Sequence, residues 1–167
     1  MSGNNNNNSV KLSCLDRVKR NTDGKRPDTD KPIKFVVWAA DKSGSMFSLM
    51  PSLREGYKNF IEEQQEESKG DSESGVRLTT ITFNSKVEVI GEVAQHINKI
   101  SPNILDDVES GGQTSLYDAI GKGIEILKDL ENENKDKYPN ATYQLVTFTD
   151  GEENCSKYWT DKKIQKE

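Results

Sequence analysis

The order of apolar segments predicts an α/β domain: a doubly wound, mostly parallel sheet with helices on both faces. Three observations carry that prediction. Short apolar or β-branched runs at residues 35–40, 76–83 and 142–149 alternate with stretches of helical periodicity. The run at 35–40 is apolar throughout, as a strand covered on both faces is, and the run at 76–83 is rich in β-branched residues. Polar loops, several with glycine, sit where the carboxyl edge of such a sheet belongs.

The elements follow in order from residue 33. Phe35 to Ala40 read as a first strand ending at a polar loop. From Ser52, the residues Leu53, Tyr57, Phe60 and Ile61 recur at helical spacing, and residues 62–67 form a polar, acidic end. After a polar loop at 69–75 comes the second strand, then a tight turn at Asn84-Ser85. A third strand at 86–90 is expected antiparallel to the second, with a short helical piece near 95–100. The clearest helix starts near Ser115, with Leu116, Ala119, Ile120, Gly123, Ile124 and Leu127 on one stripe. A charged loop at 131–137 leads to the last strand, and residues 159–166 begin another helix.

Only 32% of the chain is apolar while 31% is charged, so part of it is expected not to pack. Residues 1–32 are that part. They hold five consecutive asparagines from Asn4, then mixed charges with Gly24, Pro27 and Pro32, and read as a disordered tail. Residues 33–167 form the domain. Its end is expected to come early, leaving the last strand at an open sheet edge that invites pairing with another chain.

The net charge of −5 and the lack of a basic stripe with interleaved aromatics exclude nucleic acid as a partner. No apolar run approaches the ~20 residues needed to span a bilayer, so no membrane is expected. The first thirty residues lack an apolar signal core, and Cys14 and Cys155 stand far apart. A reducing, cytoplasmic compartment is the expectation.

Three polar clusters fall at the carboxyl edge of the expected sheet: Asp41-Lys42-Ser43-Gly44-Ser45, then Gly111-Gly112-Gln113-Thr114, then Thr149-Asp150-Gly151. Asp41 and Asp150 offer carboxylates; Ser43, Ser45 and Thr114 offer hydroxyls. All five are hard oxygen donors, which suits Mg²⁺, or Mn²⁺ or Ca²⁺, and not zinc. Gly44 is expected to curl the first loop, and Gly111 and Gly112 to bring Thr114 in.

These residues resemble the metal-ion-dependent adhesion site of von Willebrand factor type A domains. The resemblance runs through Asp41-x-Ser43-x-Ser45, through Gly112-Gln113-Thr114-Ser115-Leu116-Tyr117-Asp118, and through Thr149-Asp150-Gly151-Glu152-Glu153-Asn154, and these stretches also look like those of intracellular, bacterial-type members. It covers residues 33–167 and implies a Rossmann-like fold. It further implies that Ser43, Ser45 and Thr114 touch the ion while Asp41 and Asp150 reach it directly or through water. A protein partner then supplies an Asp or Glu to the vacant position. The implied function is a metal-dependent protein-binding module and not an enzyme.

Other readings stand beside it. Asp41 and Ser45 are also good helix caps, and Asp150-Gly151 is an ordinary turn. A Mg²⁺-dependent phosphotransferase or hydrolase needs a nucleophile or base beside the metal, and neither a phosphate loop nor Gly-x-Ser-x-Gly is present. A structural fragment completed by another chain is the third reading. Met46, Phe47, Leu49 and Met50 are core packing or an apolar rim to the site; Lys42, Glu152 and Glu153 read as solvated charges, and His96 as a surface residue.

Overall fold

The structure, a computed structural model, describes residues 33–69 and 75–167. The tail expected over 1–32 lies outside the described residues. Four strands form one sheet: β1 (Ile33–Asp41), β2 (Gly75–Phe83), β3 (Val87–His96) and β4 (Thr142–Phe148). Their order is β3-β2-β1-β4. β1 pairs parallel with β2 and with β4, and β2 pairs antiparallel with β3. The helices are α1 (Met50–Glu67), α2 (Leu116–Asn134) and the short α3 (Asp161–Ile164). This is the doubly wound α/β arrangement the sequence predicts.

β1 is central because its side chains feed both cores. Val36, Trp38 and Ala40 point to one face, where Met50, Leu53, Tyr57 and Ile61 of α1 cover them. Phe35, Val37 and Ala39 point to the other, against Ala119, Ile126 and Leu130 of α2. Burying each large aliphatic side chain contributes about 1.5–3 kcal/mol. Trp38 meets Tyr57 edge-on at 5.5 Å, and the Tyr57 hydroxyl hydrogen-bonds Thr80 Oγ1 at 2.7 Å across the sheet. Burial pushes the Tyr57 phenol up, only partly offset by that bond.

Several boundaries differ from the expected ones. α1 starts at Met50 and not at Ser52, because Pro51 fits the first turn of a helix, where no amide partner is needed. α2 runs on to Asn134, so residues 131–134 of the expected loop are helical. The last helix is one turn, Asp161–Ile164. β3 continues past Ile90 to His96. Its register explains why alternation hides it: Leu78 pairs with Gln95 but Thr80 with Ile90, so two steps of β2 face five of β3. Gly91 and Ala94 take positive φ within that bulge. No helix among the described residues is long and apolar enough to cross a membrane.

Candidate metal site

β1 delivers Asp41 to the carboxyl edge of the sheet, and the chain turns at once into a 3₁₀ turn, Gly44–Ser48. Asp41 is fully buried. One carboxylate oxygen accepts the Ser43 amide at 2.7 Å; the other accepts the Thr149 hydroxyl at 2.7 Å. Ser43 is buried and Ser45 exposed, with their hydroxyl oxygens 3.2 Å apart.

The second loop is locked to the first through its backbone. The Gly44 amide donates to the Gly112 carbonyl at 3.0 Å, and the Gly111 amide to the Lys42 carbonyl at 2.7 Å. Gly112 holds φ +84°, and a Cβ there would meet Ser85 Oγ at 3.1 Å, so glycine is needed at this corner. Gly44 has no such need: its φ is ordinary and it opens the 3₁₀ turn. The left-handed backbone that favours glycine is thus at Gly112, in the loop that carries Thr114, and not at Gly44. Thr114, two residues on, is buried. Neighbouring Ser115 is the N-cap of α2 but spends its hydroxyl on the Asn84 carbonyl at 2.6 Å.

The third loop closes the ring. Thr149 bonds Asp41, as above, and the Thr114 amide donates to Asn154 Oδ1 at 2.9 Å while the Asn154 amide donates back to the Thr114 carbonyl at 3.0 Å. The backbone thus brings all three loops to one edge. Asp150 is exposed and its carboxylate accepts the Glu152 amide of its own loop at 3.2 Å. Gly151 takes φ +90°.

Glu153 is a residue whose role sequence reasoning missed. Instead of a solvated charge it is a cap for α2 supplied from another loop. Its carboxylate accepts the amides of Tyr117 (2.9 Å), Ser156 (2.8 Å) and Cys155 (3.1 Å), and the Ser156 hydroxyl at 2.7 Å. An acid at a helix N-terminus meets the positive end of the helix dipole. Burial works to raise its pKa, but these bonds outweigh it and hold the carboxyl below the usual range. The spacing that signals a capping box is absent because the cap comes from a distant segment.

Asp118 was also missed. It is buried in the first turn of α2, and its carboxylate accepts the amides of Lys157, Tyr158 and Trp159 at 2.8, 2.9 and 2.8 Å. The Trp159 ring lies where a Cβ on Gly121 would stand, at 2.1 Å. The segment after β4 is thereby clamped over the start of α2.

The apolar residues beside the first loop divide. Met46 and Met50 are buried in the core, while Phe47 and Leu49 are exposed beside the loop. Lys42 is not a free solvated charge: its ammonium pairs with Glu88 at 2.5 Å. That contact, ahead of the general attraction, pulls Glu88 below its ordinary pKa. Cys155 is a free thiol, pushed up by burial and then by Glu153, opposite to what a nucleophile needs. His96 is half-buried, and its Nδ1 accepts the Asn98 amide at 3.1 Å.

Among the described residues, no group of three or more His, Cys, Asp or Glu side chains is placed to hold a metal. A cation at this edge would rely on hydroxyls and two carboxylates. Two features fit such an ion. Adjacent ligands around Mg²⁺ at ~2.0–2.1 Å stand about 2.9 Å apart, and around Ca²⁺ at ~2.3 Å about 3.3 Å. The Ser43–Ser45 separation of 3.2 Å falls in that interval. And Asp41 is a fully buried carboxylate whose partners are one amide and one hydroxyl, both neutral. None of the ion pairs among the described residues includes it. Buried charges are ordinarily paired or metal-bound.

The von Willebrand factor type A domain pattern matches residues 35–166. The chain belongs to that family. No curated protein matches it. Among solved structures it is similar to the pilus adhesin SpaC from Lactobacillus rhamnosus GG, at 20% identity and TM-score 0.58, over 74% of this chain and 15% of that one. It is also similar to proximal thread matrix protein 1 from the mussel byssus, at 17% identity and TM-score 0.53, over 81% of this chain and 33% of that one. A third similarity is to the three N-terminal domains of the type V pili tip protein Mfa5 from Porphyromonas gingivalis, at 13% identity and TM-score 0.50. It covers 58% of this chain and 17% of that one. At these identities the likeness is one of fold. The vWA chain described here spans a third or less of each of these structures.

Proposed function

We propose that this vWA domain is a divalent-metal-dependent protein-binding module. Asp41, Ser43, Ser45, Thr114 and Asp150 hold a Mg²⁺ ion, or Mn²⁺ or Ca²⁺ in its place, and an Asp or Glu side chain of a protein partner completes its shell. The single observation that carries this reading is the fully buried Asp41 carboxylate, met only by neutral donors, beside a pair of hydroxyls 3.2 Å apart. The bound ion supplies positive charge on which an acidic group can settle. The chain's part is to hold the hydroxyl side rigid, through the Gly44–Gly112 and Gly111–Lys42 backbone bonds, and to leave Asp150 on the exposed side.

The same geometry favours holding over catalysis. Asp41 is fully buried, and the neighbouring Cys155 thiol is pushed up by burial and then by Glu153, so neither is presented as an activated nucleophile. SpaC is a pilus adhesin by name; the proposal gives this domain an adhesive task of its own, gripping another protein, in the cytoplasm. Titration calorimetry with MgCl₂ tests it. One ion per chain, with the heat lost in Asp41→Asn, supports the reading. No heat, or unchanged heat in the variant, overturns it.

A further inference from the structure

A cleft of about 670 Å³ opens beside the metal edge, between the start of β3, the first turns of α2 and the segment 157–159. Its volume is in the range of sites that take a drug-sized group or a few peptide residues. Ser115 lines it, one residue from Thr114, and so does Ser85, whose hydroxyl accepts the Gln113 amide at 3.0 Å. The cleft therefore begins where the second loop of the proposed metal site ends.

Its charge runs against that of the chain. Four lysines line it, Lys86, Lys122, Lys157 and Lys163, against two carboxylates, Asp118 and Glu125. Both carboxylates are already engaged: Asp118 by three backbone amides, Glu125 by Lys122 at 3.6 Å. Lys163 lies over the Trp159 ring at 4.0 Å. Lys86 and Lys157 are exposed, and no ion pair among the described residues includes either. On a protein of net charge −5, this is a local cationic rim. Val87, Val89 and Trp159 also line the cleft, and Tyr158 beside them is 78% exposed. A lining that joins unpaired lysines to apolar side chains recognises an acidic segment that also carries large apolar side chains.

We infer that this cleft is a second contact for the protein partner, taking an acidic, apolar-bearing stretch of its chain beside the residue held at the metal. The inference deepens the proposed function and rests on it for the identity of the occupant as a protein segment, yet the cleft's chemistry does not need the ion. Affinity from the two contacts is joined, because one chain occupies both.

The test uses a fluorescein-labelled (Glu-Leu)₅ peptide and fluorescence anisotropy with the full chain in EDTA, so that the metal contributes nothing. The expected result is binding at least tenfold tighter than that of (Glu-Ser)₅ or (Lys-Leu)₅. A Lys86→Glu/Lys157→Glu variant, whose unchanged melting temperature shows it folded, is expected to lose at least fivefold. Equal binding of the three peptides, or no loss in the variant, overturns the inference. Displacement of the peptide by equimolar ATP or by a single-stranded oligonucleotide also overturns it, since the cleft would then be a phosphate site. The calorimetric test of Mg²⁺ is separate, so failure of the cleft and failure of the metal site are told apart.

Discussion

Two buried carboxylates stand at the same edge of this sheet, and their surroundings differ. Asp118 accepts three backbone amides, all from residues 157–159. Asp41 accepts one amide and one hydroxyl, from two different loops. A carboxylate with three amide donors is satisfied by the protein itself; its task is to clamp a segment. One with two neutral donors retains lone pairs, which the proposed reading gives to a cation. Burial alone thus does not tell the two acids apart; the donors each one meets do.

Removing the clamp should have the larger effect on stability. Asp118→Ala leaves three amides without their acceptor, and the expected cost is about 3 kcal/mol, read by urea denaturation at fixed Mg²⁺. The Mg²⁺ response of whatever remains folded should persist. A loss below about 0.5 kcal/mol would mean that the 157–159 segment does not depend on Asp118.

Gly121→Ala attacks the same clamp from the other side. The new Cβ falls on the Trp159 ring, so the ring must leave its seat or the helix must shift. A cost of about 1–3 kcal/mol is expected, with a red-shifted tryptophan emission as Trp159 becomes exposed. Unchanged emission and stability would contradict the packing described.

A smaller effect concerns acid. Glu153 has a folded-state pKa below its unfolded one. Its contribution to stability is therefore complete above the unfolded carboxylate value of about 4.3 and disappears as pH falls through the lower folded value. Glu153→Gln should flatten the acid limb of the stability curve and leave the neutral region's pH slope unchanged. An identical acid limb in the variant would show that Glu153 does not cap α2.

Much of this is legible in the sequence, and the exceptions share a cause. The runs around Val37, Ile81 and Leu145 announce strands because their neighbours along the chain are largely apolar or β-branched. The order Asp41, Ser43, Ser45, Thr114, Asp150 is legible for a similar reason: each sits at the end or start of a periodic segment. Asp118 and Glu153 were not legible. Their partners are 36 to 41 residues away, or belong to a loop with no periodicity, so nothing local marks them. β3 was cut short because its bulge breaks the alternation that reveals a strand. The split between buried Met46 and exposed Phe47 is a matter of one step in a 3₁₀ turn, below what composition can resolve.

The comparison between the two acids comes down to whether Asp41 answers to a cation. Thermal melts of the wild type, Asp41→Asn and Asp150→Ala, each with and without about 10 mM MgCl₂, measure this directly, since an ion bound only by the folded chain must raise the midpoint. The account predicts a rise of a few degrees in the wild type and none in either variant. It also predicts that without metal Asp150→Ala melts where the wild type does, because that side chain is exposed. A wild-type midpoint that ignores Mg²⁺, or a rise that survives in Asp41→Asn, contradicts it.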